Sequence, residues 1–435
     1  MRNIRLYISV VVVATVGSLL STSCDKNVFD QQVYENIVER SFPTDTVDSH
    51  HDWQLSVIAT THISCDVAGT WRVALLSANP QEQSQAEILA EQYVTAGENA
   101  MLTYLLPKVQ QQMWGVAYDA TGQLLALQEL TAGNPSCRLT EADVPATTGS
   151  KQLSRQRVYY LYESEFPKPG DWDFNDLVLT IETPQPVPPG STDDSELAAR
   201  QVRLHVTLEA VGCNLQLAAA IRFVGIKFSE VESITTEGNL SFVRNSTYPR
   251  SIITDDALLQ QGRNGDAVLC LFDDAHLAVY SRTSESGMVF RYYYNVSHTT
   301  SDVYHIFNAP EVTYLITFRD AQTARLFSAA SLDPFIISPF NGANWEIHQY
   351  QYRMQQTMFE YVTEDQGNFH TGYSWCLSVP YSWFRYAIEK NPLGTLKNGV
   401  ISGAYSVFGH SYGQWVADRN TATDWYLYPS SRMVY

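Results

Sequence analysis

The sequence has 435 residues, 45% of them hydrophobic and only 17% charged, so most of the chain is expected to fold around cores large enough for two or three domains. Acidic residues outnumber basic ones by 46 to 28 and give a net charge of −18, which argues against a nucleic-acid partner, because such a partner requires a basic surface. Tyrosine is abundant, with 26 residues, and aromatic side chains favour the half-buried faces of β-sheets.

The first residues predict an export signal. Arg2 and Arg5 precede an apolar run, residues 6–20, that is too short to span a bilayer comfortably, and small residues then lead to Cys24. Small residues directly before a cysteine resemble the processing site of a bacterial lipoprotein, in which the cysteine is acylated. We expect residues 1–23 to be removed as a lipoprotein signal peptide, and Cys24 to anchor the protein in the cell outer membrane, facing the periplasm or the cell surface. An ordinary cleavage site beside an unrelated cysteine is the alternative.

A tether and a small domain are predicted next. Residues 24–52 are polar and show little periodicity, so they are expected to form a lipidated tether. Residues 53–150 contain segments in which apolar and polar residues alternate, which predicts a small β-rich N-terminal domain. Within it, residues 82–94 have a helix-forming composition, and residues 119–122 carry the Asp and Gly of a tight hairpin turn.

Residues 151–435 predict a second β-rich part. The strand-like segments are 157–163, 177–181, 202–212, 268–272, 289–296 and 312–318. Long helical periodicity is nearly absent, and residues 382–390 are the short stretch that suggests a helix. Strands at intervals with turns between them favour an all-β fold, made mainly of antiparallel β-sandwich domains with a few short helices.

The sequence GDWDFND, residues 170–176, concentrates oxygen ligands just before a predicted strand. Asp171, Asp173 and Asn175 alternate, and Asp176 follows. Hard cations such as Ca²⁺ bind about six to eight oxygens, with carboxylates supplying the charge, so these four residues are the candidate metal ligands. The spacing resembles the start of an EF-hand loop, but the sixth position of that loop requires Gly where this sequence has Asp176.

Two interpretations of the motif stay open. In the first, it is a calcium-binding loop of another kind, completed by Glu163 or Glu165 from the preceding strand. In the second, it is a structural turn, because Asp and Asn side chains bond their own backbone in turns and Phe174 would fill the core beneath. Acid–base catalysis by paired carboxylates is a third chemistry, but no second catalytic component accompanies them in the sequence.

The motif and its surroundings resemble the LruC domain, which occurs in envelope lipoproteins of Bacteroidetes-type and spirochaete bacteria. That family shows an acidic residue, then Pro, then Gly-Asp-aromatic-Asp-Phe-Asn-Asp and a strand. Glu163, Pro167 and residues 170–176 match this signature, and three later segments are similar to the C-terminal half of the family: 340–349, 374–393 and 404–426. The resemblance implies that residues 151–435 form LruC-like β-sandwich domains of a surface-associated lipoprotein. It implies no known activity.

Other motifs weigh against an enzyme. GHSYG, residues 409–413, matches the nucleophile elbow of hydrolases, but in those enzymes the catalytic histidine follows the nucleophile, and no histidine follows Ser411. Five cysteines remain after Cys24 and form no C-x-x-C pair, so a zinc cluster is not expected, and most of them are predicted to be buried free thiols. Isolated histidines such as His205 and His276 are expected to be hydrogen-bonded structural residues.

Two functional hypotheses result. The first is a non-enzymatic, membrane-anchored cell-envelope lipoprotein with an adhesive or structural role, in which calcium stabilises the GDWDFND loop. The second is a surface glycan-binding module, because aromatic runs such as Tyr159–Tyr160 and Tyr292–Tyr294 can stack on sugars, although alternate residues of a strand point inward. The expected partners are the membrane, through the lipid anchor, and either a surface glycan or another envelope protein. No nucleic acid is expected.

Overall fold

The computed structural model describes residues 53–435 apart from several short internal stretches. The residues left out are 84, 96–97, 144, 146–152, 165–169, 239–241, 243–251, 254, 280–292, 298–302, 305–308, 341–342, 353–354, 362–373 and 398–399. The predicted signal peptide, Cys24 and the predicted tether therefore lie outside the described residues. Within the described part, no helix has the length and apolar character needed to cross a membrane.

Eight strands of the described chain form what we call the N-terminal sandwich. They are β1 Ser56–Cys65, β2 Arg72–Leu76, β3 Glu87–Tyr93, β4 Ala100–Pro107, β5 Gln112–Tyr118, β6 Leu124–Thr131, β7 Ser136–Leu139 and β8 Ser154–Arg155. The order β4-β1-β7 gives a three-stranded sheet, and β6-β5-β2-β3-β8 gives a five-stranded sheet. Both sheets contribute to one core, in which Leu102 of β4 and Leu75 of β2 are buried. The predicted hairpin turn at residues 119–122 is confirmed, since it joins the antiparallel strands β5 and β6.

The next fifteen strands include those of what we call the C-terminal sandwich. They are β9 Arg157–Tyr162, β10 Leu177–Glu182, β11 Gln185–Pro186, β12 Gln201–Ala210, β13 Ala218–Lys227, β14 Val231–Thr236, β15 Leu259–Gln261, β16 Asp266–Phe272, β17 Tyr293–Tyr294, β18 Val303–Tyr304, β19 Glu311–Phe318, β20 Leu332–Phe340, β21 Ala343–Ile347, β22 Glu360–Tyr361 and β23 Cys376–Val379. One sheet has the order β14-β19-β12-β10-β9-β23, with β11 beside β12, and the other has the order β15-β16-β13-β20-β21-β22. Their facing sides share a core that includes Leu204 of β12 and Ile221 of β13.

Short elements complete the described fold. The remaining strands are β24 Thr395–Lys397, β25 Val400–Ser402, β26 Ser406–Val407 and β27 His410–Ser411, and they pair as two small hairpins. The helices are α1 Ser195–Ala199, α2 Ala275–Val279, α3 Ala321–Leu326 and α4 Tyr412–Ala417. Single 3₁₀ turns cover Glu141–Asp143, Phe228–Glu230, Ala329–Ser331, Tyr350–Tyr352 and Trp425–Leu427.

The predicted all-β, mainly antiparallel fold is confirmed. Strands β9, β10, β12, β16 and β19 lie within one or two residues of the strand-like segments in the sequence. Of the predicted strand 289–296 the structure describes the end, where β17 forms. The predicted domain boundary at residue 150 stays a prediction; β8 lies beyond it and pairs with β3 of the N-terminal sandwich.

The predicted helix over residues 82–94 is wrong. Its second half is β3, which pairs with β2 on one side and with β8 on the other and is buried along most of its length. Glu91 is accommodated in this interior strand because Arg72 and Arg155 both form ion pairs with it. Pairing and burial therefore override the helical propensity of the Glu, Ala, Leu and Gln residues in this segment.

The predicted helix at residues 382–390 is also wrong. The segment contains no helix, and several of its backbone N–H groups form hydrogen bonds with residues distant in sequence. Glu389 N donates to the carbonyl of Val296 at 2.7 Å, and Lys390 N donates to the carboxylate of Asp173 at 2.7 Å. A helix would direct these N–H groups to carbonyls of its own preceding turn, so the segment instead forms a cradle beside the GDWDFND loop.

Candidate metal centre

The GDWDFND motif lies at one end of a strand pair in the C-terminal sandwich. Strands β9 and β10 are antiparallel neighbours, and the last residue of β9, Tyr162, is paired with the first residue of β10, Leu177. Glu163 directly follows β9 and the motif directly precedes β10, so the register brings both to the same end of the pair. Glu165, the other predicted partner of the motif, lies outside the described residues.

Three carboxylates meet at this end of the strand pair. One oxygen each from Glu163, Asp171 and Asp173 lies within 4.8 Å of the other two. Glu163 and Asp173 are each 1% exposed, whereas Asp171 is exposed to solvent. This group, which we call the acidic loop cluster, therefore extends from the surface into the interior.

The other two predicted ligands form hydrogen bonds within the protein. The carboxylate of Asp176 accepts from the backbone N–H of Ser164 at 2.6 Å and from its hydroxyl at 2.9 Å. The side-chain amide of Asn175 donates to the carbonyl of Ala387 at 3.1 Å. The structure thus brings Asp171 and Asp173 together with Glu163, while Asn175 and Asp176 fasten the loop to neighbouring segments.

Backbone groups fix the carboxylates of the acidic loop cluster. Glu163 Oε1 accepts from the N–H of Phe174 at 2.8 Å, and Asp173 Oδ2 accepts from the N–H of Lys390 at 2.7 Å. Glycine is needed at position 170, because a Cβ there would lie 1.9 Å from Glu163 Oε2. The carboxylates are held by main-chain donors, so the geometry of the cluster is determined before any ligand binds.

Two aromatic residues of the motif have a strained backbone. The φ angle is +68° at Trp172 and +54° at Phe174, in the left-handed region that bulky residues rarely enter, and each such residue costs about 1–3 kcal/mol. Both side chains are buried, and the ring of Phe174 lies 6.4 Å from that of Tyr412. Burial of the two rings offsets the strain. Strain of this kind is concentrated at functional sites, where it fixes an otherwise unfavourable geometry.

The electrostatics of the cluster disfavour its fully ionised form. Burial raises the pKa of Asp173 well above its ordinary value, and the neighbouring carboxylates of Asp171 and Glu163 raise it further. Desolvation also raises the pKa of Asp171, although a hydrogen bond to Asp173 opposes this effect. Lys390 is the basic side chain that acts on Asp171, and its influence on the pKa is weaker than that of desolvation. Negative charge in the cluster is thus poorly compensated.

This arrangement suits a hard divalent cation. Ca²⁺ lies about 2.3–2.6 Å from its oxygen ligands, so two ligands of one ion are at most about 5 Å apart. The oxygens of Glu163, Asp171 and Asp173 satisfy that limit. A cation held by these three residues would replace mutual repulsion with attraction, and main-chain carbonyls and water would complete its coordination.

Ser411 of the GHSYG motif serves as a helix cap. Its hydroxyl oxygen accepts from the N–H of Gln414 at 3.2 Å at the start of α4, and its φ angle of −107° is ordinary extended backbone. The preceding His410 contacts the carboxylate of Asp424 through Nδ1 at 2.8 Å. The hydroxyl thus has a structural role at the helix terminus.

The cysteines and two of the histidines have the structural roles that the sequence predicts. Cys65, Cys137, Cys213, Cys270 and Cys376 are free thiols, and all but the first are buried. His205 Nδ1 is hydrogen-bonded to the hydroxyl of Thr313 at 3.0 Å, and His276 Nε2 to the carbonyl of Cys213 at 2.9 Å. His276 lies in α2.

A second candidate site lies between the two sandwiches. A cavity of about 310 Å³, which we call the inter-sandwich cleft, is lined by Trp71 and Tyr93 on one side and by Phe327 and Arg325 on the other. The rings of Trp71 and Tyr93 meet edge to face with centroids 4.5 Å apart. Arg325 forms an ion pair of 2.6 Å with Glu98 across the cleft. Sequence reasoning misses this site because it places Tyr93 in a helix, whereas the register of β2 with β3 brings Tyr93 beside Trp71.

Known proteins resemble this chain in sequence or in fold. A family model described as a domain of unknown function, DUF4842, matches residues 198–426, which are more than half of the chain. The GDWDFND motif lies before the matched range, and the LruC name suggested by that motif stays a prediction. A solved structure of a candidate lipoprotein from Bacteroides ovatus is 13% identical in sequence, and the match covers 85% of this chain and 99% of that one with a TM-score of 0.49. No curated protein matches the chain.

Proposed function

The chain belongs to the DUF4842 family of domains of unknown function, and from this premise we propose that it is a non-enzymatic cell-envelope lipoprotein with an adhesive or structural role. The apolar run of residues 6–20, followed by small residues and Cys24, supports a lipid anchor, since several acyl chains hold a protein to a bilayer firmly. The two β-sandwiches support a scaffold role, because their sheets hold surface loops in a fixed arrangement. The outer membrane is the proposed location.

Acylation of Cys24 is the first test of this proposal. Cells supplied with an alkyne-labelled fatty acid should label the wild-type protein and not Cys24→Ser, and the variant should leave the membrane fraction. Cys65→Ser is the matched control and should be labelled normally. A mature N-terminus downstream of residue 24 would contradict the anchor. Protease treatment of intact cells then decides the orientation: loss of the body indicates the cell surface, and protection indicates the periplasm.

We also propose that the acidic loop cluster binds calcium and that calcium stabilises the fold. The observation that carries this proposal is the meeting of three carboxylates, two of them buried, on a strained backbone held by main-chain donors. A ligand that binds only the native state stabilises it by mass action, by about 2.7 kcal/mol when its concentration is 100 times its dissociation constant. Calcium would therefore act as a structural ion.

Thermal unfolding of the full chain tests the calcium proposal. Addition of a calcium chelator should lower the melting temperature of the wild-type protein, and Asp173→Ala should abolish this response. Glu129→Ala, at an exposed position of β6, is the matched control and should respond as the wild type does. Identical melting curves with and without chelator would leave the structural-turn interpretation of the motif.

A surface glycan-binding module is the second candidate function. The inter-sandwich cleft favours it, because Trp71 and Tyr93 offer aromatic faces for a sugar ring while Glu98 and Arg325 offer hydrogen-bonding groups. A glycan array should then give hits that Trp71→Ala removes. Trp383→Ala, at an exposed position outside the cleft, is the control and should keep them. An array without hits for the wild-type protein would contradict this function.

A further inference from the structure

A cluster of packed aromatic rings forms the C-terminal end of the chain. Trp425 is fully buried, and its ring lies 5.0 Å from those of Tyr405 and Tyr412 and 5.9 Å from that of Trp415. Extensive ring packing of this kind makes a rigid base for the residues at its surface.

Large apolar side chains are exposed around this base. We call them the exposed apolar patch: Trp383, Val407, Phe408, Leu427 and Tyr428, with exposed fractions of 42%, 45%, 83%, 36% and 37%. Single exposed apolar residues are ordinary, but a contiguous group marks an interaction surface. The exposed ring of Phe408 is the extreme case.

Ring contacts connect two members of the patch, Trp383 and Tyr428, to neighbouring aromatic residues. The ring centroids of Trp383 and Tyr381 are 5.6 Å apart, and those of Tyr381 and Tyr426 are 6.0 Å apart. Tyr426 directly precedes Leu427. On the other side, Tyr428 lies 4.2 Å from His410, which follows the turn that carries Phe408. The exposed side chains therefore lie around one aromatic cluster.

The turn that presents Phe408 is held in place. Phe408 and Gly409 connect β26 to β27, and Gly409 has a φ angle of +84°, which suits a tight turn. The N–H of Gly409 donates to the side-chain oxygen of Gln414 in α4 at 2.7 Å. The helix thus fixes the hairpin tip, so Phe408 is presented to solvent by a rigid element.

The chain enters the body beside the same aromatic cluster. Trp53, the first described residue, packs edge to face on Trp415 at 5.7 Å, and the guanidinium of Arg419 lies 3.9 Å from the Trp53 ring. The 28 residues between Cys24 and Trp53 reach at most about 100 Å when extended. A bilayer that holds Cys24 is therefore within reach of the patch.

We propose that the exposed apolar patch inserts into the lipid–water interface of the bilayer that holds Cys24. This inference rests on the proposed lipid anchor and adds a second, direct contact between the body and the membrane. Trp and Tyr favour the interface, and Phe, Leu and Val supply apolar area for shallow insertion. The nearby carboxylate of Asp424 is hydrogen-bonded to His410 Nδ1 at 2.8 Å. Because the net charge of the chain is −18, uncharged phospholipid surfaces are the fitting partner.

Vesicle sedimentation with an unacylated protein tests the proposal. Residues 24–435 with Cys24→Ser should co-sediment with sucrose-loaded phosphatidylcholine vesicles, and Phe408→Ser in that background should lower the partition coefficient by about tenfold. Ile58→Thr, which changes a 60% exposed apolar residue of β1 outside the patch, is the matched control and should bind normally. Phe408 is so exposed that its replacement should leave the melting temperature unchanged.

Three results would overturn the proposal. The protein with an intact patch could fail to co-sediment with the vesicles, or Ile58→Thr could lower the partition coefficient as much as Phe408→Ser does. The third is a protein dimer that Phe408→Ser dissociates without changing vesicle binding. Because the tested protein has no acyl chain, these results do not depend on the anchor. Conversely, if Cys24 is not labelled in cells but the protein still binds vesicles, the lipid anchor would be contradicted and the membrane contact of the patch would still be supported.

Discussion

Two groups of buried carboxylates in the C-terminal sandwich differ in what neutralises them. In the first, which we call the charge-paired network, Asp333 accepts from Arg222 Nε at 3.0 Å and contacts His348 Nδ1 at 2.9 Å. His348 Nε2 lies 3.1 Å from Glu346. Burial alone would lower the pKa of His348, but the two carboxylates outweigh burial and raise the pKa to about 9. The network is buried and has positive charge within it.

The acidic loop cluster is the opposite case. It has the same kind of buried carboxylates, in Glu163 and Asp173, but its members act on one another as like charges and raise the pKa of Asp173. A buried negative charge is tolerated when it is paired, protonated or bound to a metal. The network therefore contains positively charged partners from the chain itself, whereas in the cluster we propose that a cation from solution supplies the positive charge. This difference separates a structural use of buried charge from a candidate binding site.

Loss of the positive charge should be most costly in the charge-paired network. Arg222→Met removes the guanidinium that contacts Asp333 and Asp266, and it leaves buried charge uncompensated. We expect the free energy of unfolding to fall by about 3–5 kcal/mol, measured by urea denaturation. Arg138→Met is the matched control, because the Arg138–Asp66 ion pair is exposed, and it should cost about 0–1 kcal/mol. Equal effects of the two variants would contradict the network's role.

The pH dependence of stability should sharpen the comparison next. His348 has a folded-state pKa of about 9 and an unfolded-state pKa near 6.5. Its contribution to stability is therefore fully present below pH 6.5 and is lost as the pH rises through 9, by about 3 kcal/mol in total. Urea denaturation at several pH values between 6 and 9.5 should show this loss in the wild-type protein. In His348→Gln, the free energy of unfolding should change less between pH 6 and pH 9.5, by about the 3 kcal/mol that His348 contributes. Parallel curves for the two proteins would exclude His348 as the titrating group.

The comparison also explains what the sequence can predict. The alternation of Asp171 and Asp173 marks a carboxylate site locally, and Glu163 becomes a plausible third member because it ends the preceding predicted strand. The roles of Asn175 and Asp176 depend on contacts that local spacing does not encode, such as the bond from Asn175 to Ala387, 212 residues away. Local patterns thus locate the motif, and tertiary contacts determine which of its side chains come together.

The charge-paired network has no signal in the sequence. Arg222, Asp333 and Glu346 lie on β13, β20 and β21, and the register of these neighbouring strands is what brings them together. The helix prediction for the residues of β3 is wrong for a related reason. Their composition favours a helix, and only pairing with β2 and β8 makes them an interior strand. All-β folds depend on such non-local pairing, so the elements are easier to predict than the contacts among them.

The smallest expected effect is also the one that best separates the two interpretations of the acidic loop cluster. Asp171→Asn replaces a like charge with an amide that can donate a hydrogen bond to Asp173. In calcium-free buffer it should raise the free energy of unfolding by about 1 kcal/mol, a modest gain because Asp171 is exposed to solvent. In saturating calcium the same variant should be less stable than the wild type, because it lacks one of the three ligand charges.

Urea denaturation in chelator and in excess calcium measures the free energy of unfolding of Asp171→Asn in the two conditions. Asp193→Asn, at an exposed position before α1, is the matched control and should stay within about 0.5 kcal/mol of the wild type in both buffers. A structural turn has no reason to respond to calcium, so it predicts the same sign of the Asp171→Asn effect in both conditions. A reversal of sign is expected only if a cation takes the place that Arg222 and His348 fill in the charge-paired network.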